Sequence, residues 1–338
     1  MTSHEEQVEA DTTSQQLTTP TKGDENIVHN PPFFAKLNSV WHEVDQLRKD
    51  ECQELVKVAI LDTGIDLKHP DFEKPRAISF QQGKPISAAG EPNQKDRIKG
   101  CWDCMSGSSK AETMEDCDGH GTKVASIILR LAPGAELYIA RISRGNDQRN
   151  LDEGGGQEAE QDIDAIIVPR MVVEAIDWAI DRGVDIINMS FGFPEVVTEI
   201  QDALKRAQGK GILIFAAAGN GGMYTMPHWP AGDSTIAIGI NSCDVYGRKS
   251  TFTPWPIADN PNFMVIGEGI MAHWPTTRPY IGPNSIDGFG PVEGTSFATP
   301  VAVAMAAIIL EFTRRGSAGV IVVVAKYRGT RNHGMGES

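Results

Sequence analysis

Long apolar runs are missing from this chain of 338 residues, the longest being Val301 to Leu310 and Val320 to Ala325. Each falls well short of the roughly 18 apolar residues that a membrane-spanning helix requires. The beginning of the chain also lacks the basic residues, apolar stretch and small-residue cleavage site that mark a secretory signal. These two absences set the expectation of an intracellular, cytoplasmic protein with no membrane partner. Positive charge is in deficit, with 31 Lys and Arg against 45 Asp and Glu, and the formal net charge of -14 argues against nucleic acid as a partner. Cysteine is sparse and odd in number, five in all, which fits a reducing compartment better than a disulfide framework. No GxxxxGK[ST] pattern occurs, so the glycine-rich acidic stretch DEGGGQEAEQD reads as a solvated surface insertion and not as a phosphate loop.

What is present is enough apolar material, 40% of residues, to build a sizeable core, with 34 glycines and 20 prolines to turn the chain. Residues 1–50 are polar and poor in large apolar side chains, which predicts a disordered leader, with Phe33 to Leu47 able to form a short docking helix. From Val56 onward, β-branched runs recur at 56–62, 135–142, 184–190, 212–219 and 234–240. Helical patterns lie between them at 121–132, 170–183 and 196–211, and a further helix is expected from Ser296 to Arg314. Strands that alternate with helices and read as continuous apolar runs predict an α/β fold, a mainly parallel central sheet with helices on both faces. The expected domain therefore spans 51–315, with loop insertions near 79–118 and 144–164 and a short tail at 316–338.

Several chemically capable residues fall at the carboxyl ends of these strands, where an open parallel sheet binds its ligands. Asp62 ends the first strand, although it could equally be an Asx-turn residue. His120 lies between two glycines directly before a helix, a position also open to an ordinary surface histidine. Asn220 follows the strand 212–219, where its amide could donate to an oxyanion or could serve a left-handed turn. Ser296 precedes a helix that is apolar on every side and could be its cap or a nucleophile. Each residue is ordinary alone, but a carboxylate, an imidazole, an amide donor and a hydroxyl that meet in one crevice make nucleophilic catalysis the sharper reading.

The blocks VAILDTGID, DGHGTKVAS, AAAGNGG and EGTSFATPVA resemble, in order, the Asp, His, oxyanion and Ser blocks of the subtilisin-like serine proteases. The resemblance runs from about Val56 to Arg315 and implies a three-layer fold and a serine endopeptidase. It assigns Asp62, His120 and Ser296 to the triad and Asn220, with the backbone N–H of Ser296, to the oxyanion. It makes Ser190, Phe191 and Gly192 one wall of the pocket for the residue before the cleaved bond, and Ala217, Ala218 and Gly219 the facing wall. Small residues there imply a preference for a large apolar side chain. Protein or peptide substrates follow, with no cofactor needed for the chemistry; calcium can support this fold, but no metal ligand is assigned from the sequence.

Three features depart from the family pattern. Lys123 stands where a second histidine is usual, the tail at 316–338 does not continue as the family does, and no propeptide is evident. They leave open a catalytically silent member that acts as a binding or regulatory module. A zinc site at Cys101, Cys104, Cys117 and His120 has workable spacing but competes with the triad for His120. A Cys101/Cys104 redox pair lacks the usual strand-then-helix context, the Asn188-Met189-Ser190 glycosylation pattern falls on a buried strand, and Cys117 is near enough to His120 to sensitise it to thiol reagents.

Overall fold

Four consecutive residues of the first strand, Val58, Ala59, Ile60 and Leu61, are completely buried, so this strand must be covered on both faces. The computed structural model describes residues 32–46, 54–74, 79–81, 84–86, 93–110, 114–145, 167–258, 260–281 and 288–315. Its strands are β1 (Lys57–Asp62), β2 (Ser79–Gln81), β3 (Lys84–Ile86), β4 (Ile98–Asp103), β5 (Glu136–Arg141), β6 (Ile186–Met189), β7 (Leu213–Ala217), β8 (Ile238–Cys243), β9 (Phe263–Ile266), β10 (Ile270–His273) and β11 (Phe289–Val292). Its α-helices are α1 (Pro32–Gln46), α2 (His120–Leu131), α3 (Pro169–Asp181), α4 (Thr198–Gly209) and α5 (Thr295–Arg315).

Seven strands form one sheet in the order β4-β5-β1-β6-β7-β8-β9, every neighbouring pair parallel. The alternation of side chains along β1 divides the core in two. Val58 and Ile60 join Ile127 and Ile128 of α2, Val301 and Ala304 of α5, and Phe34 and Trp41 of α1. Ala59 and Leu61 join Val172 and Ile176 of α3 and Ile200 and Leu204 of α4 on the other face. The result is the expected three-layer α/β arrangement. Helix α5 is long and apolar enough to cross a membrane by length and composition, yet 67% of that stretch is buried inside the protein. It is a core helix, apolar all round because protein surrounds it.

The structure departs from the sequence reading in three places. The segment 79–118, expected to be a loop insertion, contains β4, a partly exposed edge strand whose apolar run is interrupted by Lys99 and Gly100. The strand expected at 234–240 begins at Ile238, because Ile236 and Ala237 both donate to the Asp233 carbonyl in a turn. Strands β9 to β11 are four residues each, too short to announce themselves by periodicity. The docking helix expected at Phe33 to Leu47 is α1, whereas residues 1–31, 146–166 and 316–338 lie outside the described residues.

Candidate active site

Asp62 ends the third strand from the β4 edge, and its Oδ1 lies 2.8 Å from His120 Nδ1 in a contact where both side chains are buried. A carboxylate can only accept, so Nδ1 carries the proton and Nε2 keeps its lone pair. The same Oδ1 accepts from the Thr63 N–H at 2.8 Å, which fixes the carboxylate against rotation. The His120 ring also lies against Phe297, centroids 5.1 Å apart, so helix α5 meets the imidazole one residue beyond Ser296.

The loops carrying Asp62 and His120 are tied by Asp116, which is completely enclosed. Its Oδ1 accepts from Thr63 Oγ1 at 2.8 Å and the Gly119 N–H at 2.7 Å. Its Oδ2 accepts from the Thr122 N–H at 2.8 Å and Thr122 Oγ1 at 2.6 Å. Burial pushes its pKa above the ordinary carboxylate value, while the four donors pull the other way. Thr63 Oγ1 in turn accepts from the Gly121 N–H at 2.9 Å. Gly121 is glycine for a steric reason, since a Cβ there would stand 2.2 Å from the Gly64 carbonyl oxygen. Asp116→Asn turns one acceptor oxygen toward its donors as an NH2 group, which should cost about 2 kcal/mol and lower the melting temperature by roughly 5 °C. Calorimetry checks this, and an unchanged melting temperature would mean that Asp116 does not tie the two loops.

Ser296 is the second residue of α5 and is half-buried. The helix starts at Thr295, so Pro300 is its sixth residue. Having no N–H, Pro300 cannot donate to the carbonyl four residues earlier, that of Ser296. Ser190 Oγ donates to that carbonyl instead, at 2.7 Å, while accepting from Asn188 Nδ2 at 3.0 Å. The Ser190 hydroxyl is therefore engaged in holding the Ser296 backbone.

Asn220 follows β7 and turns its Oδ1 toward α5, accepting from the Thr295 N–H at 2.9 Å and Thr295 Oγ1 at 3.1 Å. That network assigns the amide its orientation, with Nδ2 on the other side. Thr295 Oγ1 accepts from the Gly219 N–H at 3.1 Å, closing a ring between β7 and the start of α5.

Phe191, Gly192, Ala217, Ala218 and Gly219 are all buried. The space suggested by their small side chains is narrower than expected, because His228 reaches between Gly192 and Gly219. Lys123 is also buried, its Nζ 3.7 Å from the centroid of the Trp274 ring, a cation–π contact that engages the ammonium.

Cys101, Cys104, Cys117 and His120 are not gathered into one ligand site among the described residues. Burial pushes Cys101 up to about 11 and Cys104 up to about 12, so both are thiols at neutral pH, and both are free. The one gathering of three potential metal ligands among the described residues excludes both cysteines: it is His69, Asp71 and His273, donor atoms within 4.8 Å of one another. There His69 Nδ1 accepts from the Asp71 N–H at 3.2 Å, and the Asp71 carboxylate lies 3.1 Å from His273 Nδ1, beside Lys74. These contacts, with His273 and Lys74 holding the Asp71 carboxyl below its usual range against the effect of burial, fasten the turn after β1 to β10.

The model of the subtilase family matches residues 53–321. The chain belongs to that family. Among curated relatives of this subtilase, the subtilisin-like protease het-Q2 of Podospora anserina is 36% identical over 275 residues, covering 76% of this chain and 70% of its own. The major intracellular serine protease of Bacillus subtilis is 28% identical over 263 residues, covering 72% of this chain and 65% of its own. The chain spans 55% of the length of subtilisin NAT from Bacillus subtilis subsp. natto. Among solved structures, the prenylagaramide maturation protease PagA is similar in fold, with a TM-score of 0.53 at 23% identity and 80% of each chain covered. Subtilases are serine hydrolases that need no cofactor for their chemistry.

The sequence singled out Asp62, His120, Asn220 and Ser296, and the structure brings Asp62 to His120, Asn220 to Thr295, and Phe297 to the His120 ring. It did not single out Thr63, Asp116, Thr295 or His228. Asp116 and His228 carry no local signal, because each acts on segments distant in the chain.

Proposed function

We propose that this subtilase is a serine endopeptidase in which Ser296, His120 and Asp62 form the triad. The single observation that carries the reading is the buried 2.8 Å contact between His120 Nδ1 and Asp62 Oδ1, which leaves Nε2 as the base. In acylation, the Ser296 hydroxyl proton passes to His120 Nε2 as Oγ bonds to the substrate carbonyl carbon. The carbonyl oxygen takes up the negative charge and meets Asn220 Nδ2 and the Ser296 N–H, one of the unsatisfied donors at the start of α5. The C–N bond then breaks, the leaving amine takes the proton from His120, and the acyl group stays on Ser296. Water repeats the cycle from the other side, giving its proton to His120 and releasing the acid. Protein and peptide chains are the substrates. We assign the activity to the interior of the cell, on the relationship to an intracellular protease.

The test is labelling of the full chain by a fluorophosphonate, with the modified peptide mapped by mass spectrometry. Modification at Ser296 in the folded protein is the expected result. A folded chain that stays unlabelled would overturn the reading and favour a silent binding module.

A further inference from the structure

The turn that follows β1 meets β10 through one small cluster of side chains. His69 is almost fully buried, and its ring lies 4.9 Å from that of His273, centroid to centroid. Aromatic rings close the cluster, Phe72 at 5.4 Å from the His69 ring and Phe289 at 4.8 Å from the His273 ring. Asp71 completes it, with Oδ1 on Lys74 and Oδ2 turned to His273. His69 accepts at Nδ1 from the Asp71 N–H, and its other ring nitrogen donates to the Trp274 backbone. That pairing fixes a neutral imidazole with its lone pair on Nδ1, toward Asp71. His273 Nδ1 is buried and makes no aligned hydrogen bond among the described residues, although Asp71 Oδ2 stands only 3.1 Å away. A nitrogen and an oxygen that come this close without alignment point past each other, toward a shared space.

We propose that His69 Nδ1, Asp71 Oδ2 and His273 Nδ1 form a structural site for one divalent transition metal of the zinc class. Two imidazole nitrogens and one carboxylate oxygen suit zinc, whereas calcium takes oxygen ligands in larger number. The spacing agrees. Neighbouring donors of a tetrahedral zinc site stand about 3.4 Å apart, close to the 3.1 Å between Asp71 Oδ2 and His273 Nδ1. All three donor atoms lie within 4.8 Å of one another, so a small turn of one ring brings the set to a common centre. What His69 gives up is its bond from the Asp71 N–H, a long one at 3.2 Å. Its bond to the Trp274 backbone remains, in the part that a carbonyl behind a ligating histidine usually plays, holding tautomer and ring orientation. Asp71 and His273 are partly exposed, which gives the ion a way in and leaves a fourth position for water. The ion clamps the turn after Asp62 to β10 and takes no part in peptide hydrolysis, so the site stands or falls apart from the endopeptidase reading.

The full chain without an affinity tag, stripped with EDTA and dialysed, is titrated with zinc chloride by calorimetry and with cobalt(II) by visible absorption. One equivalent of zinc is expected, with the melting temperature raised by about 5 °C at a hundredfold excess over the dissociation constant. Cobalt should give the visible bands of a four-coordinate site without the charge-transfer band that thiolate ligands produce. Asp71→Asn and His273→Gln each keep roughly the side-chain size, and each should weaken zinc by more than the roughly tenfold to hundredfold that loss of an outer-shell partner costs. A stripped wild-type chain of native near-ultraviolet circular dichroism that binds no zinc would overturn the proposal. So would a thiolate band in the cobalt spectrum, or an affinity that neither substitution changes.

Discussion

His120→Ala should lower turnover of a peptide substrate by about six orders of magnitude, the scale on which loss of the base disables a concerted triad. The size follows from what remains. Without an imidazole near Ser296, the hydroxyl must lose its proton to water, and the oxyanion donors can stabilise only an intermediate that seldom forms. The variant will also be less stable than the wild type. His120 is a partner of Asp62 Oδ1, and Asp62 Oδ2 is already buried without a hydrogen-bond partner among the described residues, so the carboxylate loses its cation-ready neighbour inside the protein. Steady-state kinetics at a temperature well below the variant's own melting point separates the two effects. A loss of less than about tenfold would remove His120 from the chemistry.

Asp62→Asn should cost about four orders of magnitude in kcat with little change in KM. Here the geometry survives but the negative charge does not. The Thr63 N–H and His120 Nδ1 share one oxygen, Oδ1, each at 2.8 Å, so the Asn side-chain oxygen keeps that place and the new amide group takes the place of Oδ2. The imidazole keeps its Nδ1 proton but loses the negative charge that stabilises the imidazolium formed when Ser296 gives up its proton. Because ground-state contacts with the peptide are unchanged, kcat falls and KM stays, and a parallel rise in KM would point to a disturbed cleft instead. Asp62→Ala serves as the comparison, since it removes the orienting group altogether.

The central strands and the flanking helices were legible because each buries a periodic apolar pattern, β1 and α2 most plainly. Edge strand β4 was not, since one side of such a strand needs no apolar neighbour and its residues read as a loop. Asp62, His120 and Asn220 could be named because strand ends and glycine-flanked turns are local features. The constraints behind them were not legible. Asp116 gathers donors from Thr63, Gly119 and Thr122, and the hydroxyl of Ser190 reaches a carbonyl on a helix 106 residues later. Even small residues at Gly192 and Gly219, which suggest an open pocket in one dimension, prove to be small because His228 stands beside both.

The hydrogen bond from Ser190 to the Ser296 carbonyl also bears on how the proposed nucleophile comes to be held in place. A helix beginning at Thr295 has a gap in its own ladder at Pro300, and no rearrangement of α5 alone can close it. The missing donor belongs to the end of β6, a strand paired with β1 and β7 at the centre of the sheet. On the proposed triad, the backbone of Ser296 is therefore complete only when the end of β6 stands beside it, so the nucleophile's position depends on two segments more than a hundred residues apart.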